Sequence, residues 1–494
     1  MSNRPETNKQ SCPVYKKCGG CQLQNLSYPE QLEFKQRKVE KLLKRFCTVE
    51  KIIGMKTPYH YRNKVQAAFY TDKKGKIISG VYQSGSHHVV GIDSCQTEDV
   101  IADKIIVAVR KLLPSFRMTT YNEDTGKGFL RHILVKRGFA TNQIMLVLVT
   151  GTPVFPSKNN FVKAILKQFP EITTIVQNIN PYRTNLVLGD NQKVLYGKGY
   201  IEDILCGCRF RISPKSFYQI NPVQTEVLYG KAIEFANLKG NETVLDTYCG
   251  IGTIGIIVAK NGAGNVIGAE LNGDAVRDAI VNARANNLKN IRFYKADAGD
   301  FMREVADEDE KPDVVFMDPP RAGSDRKFLD SLIKMSPKKV VYVSCNPETL
   351  ARDLAYLTQN SPYKAKKIQP VDMFPHTAHI ETVVLLSHKK PDGHINVKVE
   401  FGEGEGKVPL DNIAKRAESY KPKERVTYKM IKEYIEAKYG FKVHTAYIAE
   451  VKRDLGLPMY DAPNAVEELK QPRKHPTAEK VEAIKDALKH FEVI

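Results

Sequence analysis

The part of the chain beyond Asn241 alternates short apolar runs with helical patterns, and this alternation constrains the fold more than any other feature. The apolar runs, which predict strands, lie at residues 244–246, 266–268, 291–293, 314–316, 340–343 and 382–386. Strands separated by helices pair in parallel through right-handed crossovers, with helices on both faces of the sheet. We therefore predict an α/β domain built on a doubly wound, mostly parallel sheet.

A glycine-rich loop follows the first of these strands, in the sequence Leu-Asp-Thr-Tyr-Cys-Gly-Ile-Gly-Thr-Ile-Gly at residues 245–255. Glycines let a backbone approach a ligand closely at the carboxyl end of such a strand. Glu270 ends the second strand, where a carboxylate can take both hydroxyls of a ribose. These features suit NAD and S-adenosylmethionine equally, because a glycine pattern alone is a weak signal.

The next two strand ends favour S-adenosylmethionine over NAD. Asp297 follows the third strand and suits an adenine amino group, and Asp318 ends the fourth strand ahead of Pro319, Pro320 and Arg321. The two prolines fix a rigid backbone beside the cofactor's reactive end, for which a dehydrogenase has no use. We therefore predict a Rossmann-like, S-adenosylmethionine-dependent methyltransferase domain.

Cys345 and Glu381 are the candidate catalytic residues. Cys345 follows the fifth strand, where a lone cysteine is either a nucleophile or an inert buried thiol. Glu381 precedes the last apolar run and is either a base or a hydrogen-bonded structural acid. A thiolate that adds to carbon 6 of uracil makes carbon 5 nucleophilic, and a base must later remove the proton from carbon 5. Together the two residues predict this chemistry.

Four further cysteines have a spacing typical of a metal site. Cys12, Cys18 and Cys21 form a C-x5-C-x2-C cluster, and Cys95 stands alone downstream. Nine cysteines in a chain without a recognisable export signal favour reduced thiols over disulfides. By the residues alone, four thiolates suit an iron-sulfur cluster and structural zinc about equally.

Composition and pattern divide the chain into four predicted segments. They are a cysteine-cluster segment with a basic helix (1–50), a central α+β domain (51–210), the catalytic domain (211–388), and a linker with a basic, helix-turn-helix-like extension (389–494). In the first helix Ser27 and Glu30 predict a capping box, and Lys35 belongs to a charged face expected to be solvated. The extension suits nucleic-acid binding or a structural cap about equally.

The net charge of +19 favours a polyanionic partner, either nucleic acid or an anionic membrane surface. No apolar run approaches ~18 residues, so we expect no membrane-spanning helix. We expect RNA as the partner, no DNA and no membrane, a monomeric protein, and a cytoplasmic location.

Residues 12–386 resemble the RNA 5-methyluridine methyltransferase family, specifically its iron-sulfur branch of the RumA/RlmD type that acts on 23S ribosomal RNA. The segment Ser-Phe-Tyr-Gln-Ile-Asn-Pro at residues 216–222 resembles the family segment whose glutamine contacts the methionine part of the cofactor, here Gln219. Thr253 stands where relatives carry asparagine. The site residues that the resemblance implies are Gln219, Tyr248, Glu270, Asp297 and Asp318 for the cofactor, Cys345 as nucleophile, Glu381 as base, and Cys12, Cys18, Cys21 and Cys95 for a 4Fe-4S cluster rather than zinc.

The resemblance implies methylation of carbon 5 of a uridine in 23S ribosomal RNA, at uridine 1939, uridine 747 or both. One alternative is a tRNA uridine-5-methyltransferase, against which the cysteine cluster weighs. Another is a noncatalytic RNA-binding or assembly factor, against which the presence of both Cys345 and Glu381 weighs.

Overall fold

The computed structural model describes residues 12–83, 86, 88–184, 186–307, 311–388, 428–455 and 475–491. The chain divides into two compact units, residues 1–395 and 396–494. No helix within the described ranges is long and apolar enough to cross a membrane.

The first unit begins with the helices α1 (Tyr15–Cys18) and α2 (Tyr28–Leu43). The predicted capping box of α2 is confirmed, because Ser27 and Glu30 cap each other's backbone N–H groups. The prediction that Lys35 is solvated is wrong. Its Nζ donates to Asp372 Oδ1 at 2.5 Å and to the Phe374 carbonyl at 3.0 Å, and both charged side chains are fully buried. The apolar side of α2 packs against the catalytic sheet. Lys35 is buried in this interface because its ammonium group forms an ion pair with the buried carboxylate of Asp372.

A mixed seven-stranded sheet forms the central part of this unit. Its strands are β1 (Lys64–Thr71), β2 (Ile77–Tyr82), β3 (Val89–Gly91), β4 (Leu130–Arg137), β5 (Ile144–Thr150), β6 (Ile172–Ile179) and β7 (Asn191–Tyr196). The order is β3-β2-β1-β4-β5-β6-β7, with only β5 and β6 parallel. Helices α3 (Val100–Leu112) and α4 (Lys158–Gln168) cover one face, which confirms the mostly antiparallel α+β prediction.

The other face of the central sheet packs against the catalytic part of the chain. Leu134, Met145 and Val147 share one core with Tyr218 and Leu228. A two-stranded ribbon, β8 (Ile201–Leu205) and β9 (Cys208–Ile212), leads into the helix α5 (Pro222–Ala236). This packing holds the segment that carries Gln219 between the two sheets.

The catalytic part alternates strands and helices as the sequence predicts. Its elements are β10 (Thr243–Asp246), α6 (Thr253–Lys260), β11 (Asn265–Glu270), α7 (Gly273–Ala285), β12 (Ile291–Lys295), α8 (Ala298–Asp307), β13 (Val314–Met317), α9 (Arg326–Met335), β14 (Lys339–Ser344), α10 (Pro347–Asn360), β15 (Tyr363–Val371) and β16 (Glu381–His388). The sheet order is β12-β11-β10-β13-β14-β16-β15, and separate hydrophobic cores cover its two faces. The predicted doubly wound α/β architecture is confirmed.

The last strand is the exception that makes the sheet mostly rather than wholly parallel. β16 runs antiparallel to β14 and to β15, with Ser344 opposite Thr382. The sequence analysis missed β15, whose first residues alternate with lysines. No helix connects β15 to β16, so the two strands form a hairpin, and β16 returns between β14 and β15 in the opposite direction.

The second unit contains α11 (Tyr428–Tyr439), α12 (Thr445–Asp454) and α13 (Ala478–His490). These helices pack on each other through a core that includes Ile431, Ile435, Ile448, Ile484 and Leu488. The predicted extension is thus helical where the structure describes it. The predicted linker begins at residue 389, and residues 389–427 lie outside the described residues. The boundaries at 50, 210 and 388 stay predictions.

Candidate active site

The strand ends of the catalytic sheet surround a cleft with a volume of about 460 Å³. Six of the predicted site residues line it, namely Gln219, Tyr248, Glu270, Asp318, Cys345 and Glu381. Asp297 lines an adjoining cleft of about 320 Å³, which shares Tyr248, Glu270 and Pro320 with the first. The structure thus brings all seven predicted cofactor and catalytic residues into one continuous region.

The glycine loop between β10 and α6 forms one wall of the cleft. Gly250 and Gly252 adopt φ values of 54° and 82°, which favour glycine. A Cβ atom at Gly252 would also lie 2.9 Å from the ring of Phe293. Both the backbone conformation and the close packing therefore require glycine at position 252.

Asp246 supports this loop and does not line either cleft. Its Oδ2 accepts a hydrogen bond from the Gly255 backbone N–H at 2.8 Å, at the start of α6. Burial raises the pKa of Asp246 to about 7, and the nearby carboxylates of Asp318 and Glu270 add to this effect. The carboxylate of Asp246, at the end of β10, thus orients α6 through this hydrogen bond.

Backbone hydrogen bonds fix two carboxylates at the cofactor clefts. Glu270 Oε2 accepts from the Gly250 N–H at 3.1 Å, and Oε1 accepts from the Asn272 N–H at 2.7 Å. Asp297 Oδ1 accepts from the Gly299 N–H at 3.0 Å, at the start of α8. Held in this way, both carboxylates keep further lone pairs for ligand donors such as ribose hydroxyls or an adenine amino group.

Gln219 lies where the central sheet meets the catalytic part. Its carbonyl accepts a hydrogen bond from Asn63 Nδ2 at 3.1 Å. Tyr229 lines the same cleft and is buried, and this burial raises the pKa of its hydroxyl. The sequence analysis missed Tyr229, because nothing in the pattern of α5 separates it from a core residue.

Cys345 follows β14 directly and precedes α10. Asn346 caps α10 by accepting from the Glu348 N–H, and its Nδ2 donates to the Arg321 carbonyl at 3.1 Å. The half-buried thiol therefore sits in a backbone segment tied to the Asp-Pro-Pro-Arg turn. Burial raises the pKa of Cys345 to about 11, with further upward contributions from Glu381 and Asp318 that Arg321 partly offsets.

Glu381 begins β16 and is 4% exposed. Because Ser344 and Thr382 pair across antiparallel strands, the neighbouring residues Cys345 and Glu381 leave the sheet at the same edge. Burial raises the pKa of Glu381 well above its usual range, Asp318 raises it further, and Arg321 lowers it. A half-buried thiol and a buried carboxyl group thus face one cleft beside one cationic side chain.

Other lining residues were not singled out from the sequence. Phe217 is 64% exposed at the mouth of the cleft, and Phe374 and His379 line it on the β15–β16 side. The guanidinium of Arg321 lies 3.4 Å from His379 Nε2. Aromatic rings that surround a nucleophile suit a planar heterocycle, which they contact through its faces.

The four cysteines at the amino-terminal side lie near one another. Burial raises the pKa of Cys21 to about 12, and the thiols of Cys95, Cys18 and Cys12 raise it further through charge repulsion. Among the residues that the structure describes, no group of three or more His, Cys, Asp or Glu side chains is arranged to hold a metal ion. The predicted metal site therefore stays a prediction.

Comparison with known proteins gives consistent results. Residues 183–389 match the family model described as tRNA (Uracil-5-)-methyltransferase. An uncharacterized RNA methyltransferase of Bacillus cereus is 44% identical over 388 residues, which cover 78% of this chain and 84% of the relative. One from Listeria monocytogenes is 46% identical over 379 residues, covering 76% and 83%. The crystal structure of Pyrococcus abyssi tRNA (uracil-54, C5)-methyltransferase with S-adenosyl-L-homocysteine is 30% identical, has a TM-score of 0.63, and covers 76% of this chain and 87% of that one.

Proposed function

The chain belongs to the RNA uracil-5-methyltransferase family, and from this premise we propose that it methylates carbon 5 of a uridine in 23S ribosomal RNA through a covalent Cys345–uracil bond. It is an S-adenosylmethionine-dependent RNA methyltransferase by family and by fold. One observation carries the covalent mechanism. Cys345 and Glu381 leave adjacent antiparallel strands at one edge of the sheet and line the cleft that the cofactor-binding residues also line.

The first step assigned to the chain is the addition of Cys345 to the base. The thiolate forms a bond to carbon 6, and the electron pair of the carbon 5–carbon 6 double bond moves toward carbon 5 and the carbonyl at carbon 4. Burial, Glu381 and Asp318 raise the pKa of Cys345, and the positive charge of Arg321 offsets part of this rise and so favours the thiolate. S-adenosylmethionine, when bound, supplies the electrophilic methyl group that carbon 5 takes.

The second step is the release of the product. Glu381 removes the proton from carbon 5, the double bond reforms, and the carbon 6–sulfur bond breaks to return the thiolate. Burial raises the pKa of Glu381, so its carboxylate is a stronger base than an exposed glutamate. Cys345 is thereby returned as the thiolate, and Glu381 regains its carboxylate when it releases the carbon 5 proton to water.

Replacement of Cys345 by alanine tests the proposed mechanism. The Cys345→Ala enzyme should transfer no methyl group from labelled S-adenosylmethionine to 23S ribosomal RNA isolated from cells that lack the gene. Binding of S-adenosylhomocysteine, measured by calorimetry, should be unchanged. Cys47→Ala, a change at a partly buried cysteine whose Sγ donates to the Lys366 carbonyl, is the matched control and should stay active. Undiminished methylation by Cys345→Ala would exclude the mechanism.

A tRNA substrate is the second candidate, and the match to the Pyrococcus abyssi structure favours it. The same labelled reaction separates the two candidates when 23S ribosomal RNA and tRNA are supplied apart. Label in the ribosomal fraction, mapped to uridine 1939, uridine 747 or both, is the result that our proposal requires. Label in tRNA alone would replace it with the second candidate, and RNA binding without methyl incorporation would point to a noncatalytic factor.

We further propose that Cys12, Cys18, Cys21 and Cys95 hold a 4Fe-4S cluster. The charge repulsion of the other three thiols on Cys21 supports a common site, and four thiolates are the ligand set of such clusters. The cluster would join the amino-terminal segment to the central sheet without a redox step.

Metal analysis tests this assignment. The purified protein should contain about four iron atoms and absorb visible light as iron-sulfur centres do. Cys21→Ser should lose both signals, and Cys47→Ser should keep them. Zinc without iron in the protein would contradict the assignment.

With RNA as substrate, we expect the enzyme to act in the cytoplasm as a monomer.

A further inference from the structure

A smaller cavity lies in the central sheet, away from the active-site clefts. Its volume is about 260 Å³, and it shares no lining residue with the cofactor clefts. Its lining includes three tyrosines, a histidine and two acidic residues, namely Tyr70, Tyr82, Tyr121, His88, Glu123 and Asp124, whereas the ring of Phe69 lies in the core on the other face of the sheet. The mechanism proposed above uses none of them.

Tyr82 of this cavity lies on the face of the sheet that leads to the active site. On β4, the alternating residues His132, Leu134 and Lys136 share that face. Lys136 Nζ donates to the carbonyls of Ser213 and Ser216, which precede Gln219, and the ring of Tyr82 packs edge-on against His132. Lys64 and Tyr70 are six positions apart on β1, which corresponds to roughly 20 Å. A few nucleotides of single-stranded RNA can span this distance.

A buried arginine holds the cavity in shape. Arg131 is 2% exposed, and its guanidinium donates to both carboxylate oxygens of Glu123, at 2.8 Å from Nη2 to Oε2 and 3.2 Å from Nε to Oε1. The same guanidinium lies 4.4 Å from the centre of the Tyr121 ring. Glu123 and Tyr121 are therefore fixed before any ligand arrives, which lowers the entropic cost of binding.

Two buried polar atoms at the cavity lack partners. In the part of the chain that the structure describes, neither the hydroxyl of Tyr121 nor Nδ1 of His132 has a hydrogen-bond partner. Tyr121 lines the cavity, and His132 lies against Tyr82. The Tyr121 hydroxyl, which lies in the lining, can therefore take part in a hydrogen bond with a ligand in the cavity.

The chemistry of the cavity selects a nucleobase. Tyr82 is an exposed tyrosine of this lining, tyrosine rings stack on bases, and carboxylates accept hydrogen bonds from the N–H groups of a base edge. The same carboxylates repel a phosphate. We propose that this cavity binds an unstacked base of the RNA substrate at a distance from the target uridine, with guanine preferred because its edge donates from N1–H and the 2-amino group. This inference rests on the proposed function only in taking RNA as the substrate.

Ligand-observed NMR on the full-length protein tests the proposal without any methyl transfer. S-adenosylhomocysteine at saturation fills the cofactor clefts, and guanosine 5′-monophosphate is then titrated. Tyr82→Ala should weaken its binding by about 5- to 150-fold, the range found when a stacking ring is removed. Tyr82→Phe should retain binding, because the stacking face remains. Tyr196→Ala is the matched control, since Tyr196 is an exposed tyrosine on β7 near the opposite edge of the same sheet.

Two further comparisons identify the ligand class. Ribose 5-phosphate, which lacks a base, should not compete with the nucleotide, and Asp124→Asn should reduce the preference for guanosine over adenosine monophosphate. No binding to the wild-type protein, equal binding to Tyr82→Ala, or full competition by ribose 5-phosphate would overturn the proposal. If the wild-type enzyme methylated no RNA, the proposed function would be wrong, but the measured binding of guanosine 5′-monophosphate to the cavity would still support this proposal.

Discussion

Replacement of Lys35 by methionine should destabilise the first unit far more than a typical change at a charged helix residue. Lys35 and Asp372 are fully buried and 2.5 Å apart, and Asp372 Oδ2 also accepts from the Tyr28 hydroxyl at 2.9 Å. Without Lys35 the buried carboxylate keeps, among the side chains that the structure describes, only the tyrosine as a hydrogen-bond partner. Removing one member of a buried ion pair costs about 3–5 kcal/mol, and we expect the free energy of unfolding to fall by that amount.

A second substitution isolates the cause. In Lys35→Met/Asp372→Asn the uncompensated charge is gone, so most of the lost stability should return. Urea unfolding followed by circular dichroism is the suitable assay, because the chain contains no tryptophan. Lys38→Met, on the same helix, is the control. Its partner Glu348 is half exposed, so the loss should stay within about 1 kcal/mol. Equal losses for Lys35→Met and Lys38→Met would refute this reasoning.

Three further predictions follow from the active-site region. The alkylation rate of Cys345 by iodoacetamide should rise about tenfold per pH unit from pH 7 to 10, because its pKa is about 11; a flat profile would contradict this. Gly252→Ala should weaken S-adenosylhomocysteine binding through strain and contact with Phe293, whereas Gly262→Ala, also at positive φ but with open space around it, should only lower the melting temperature. The pKa of Asp246 is raised to about 7 in the folded protein, so the folded state binds this proton more tightly than the unfolded state. This proton binding stabilises the fold at low pH, and the stabilisation is lost as the pH rises from 4 through 7. Relative to Asp246→Asn, the wild-type protein should lose up to about 4 kcal/mol of unfolding free energy over that range; parallel pH profiles would disprove it.

The strand ends that carry chemistry were predictable from the sequence. In a parallel sheet, successive strands deliver their carboxyl ends to one edge, so Glu270, Asp297, Asp318 and Cys345 had to meet once the alternation of strands and helices was recognised. The structure places all four along the two adjoining clefts. Local pattern sufficed here because each residue directly follows its own apolar run.

The position of Glu381 beside Cys345 could not be predicted from the local sequence pattern. In a parallel strand, Glu381 at the amino end would lie at the opposite edge of the sheet from Cys345. The antiparallel direction of β16 brings it to the same edge, and that direction depends on pairing with β14 and β15 rather than on local pattern.

Burial of charge was also beyond the sequence pattern. Lys35 sits among other basic residues on α2, and its partner Asp372 lies 337 residues away in the chain. Tyr82 and Tyr121 likewise meet only through the packing of the central sheet and the loop that follows α3. Such contacts join distant segments, so periodicity within one segment carries no information about them.

Covalent trapping of RNA tests the central claim most directly. Glu381→Gln cannot remove the proton from carbon 5, so the methylated base should remain bonded to Cys345. After incubation with S-adenosylmethionine and 23S ribosomal RNA and then nuclease digestion, a denaturing gel should show a protein band of reduced mobility. The band should be missing for Cys345→Ala/Glu381→Gln. A Glu381→Gln enzyme that forms no adduct, or an adduct that persists without Cys345, would contradict the mechanism.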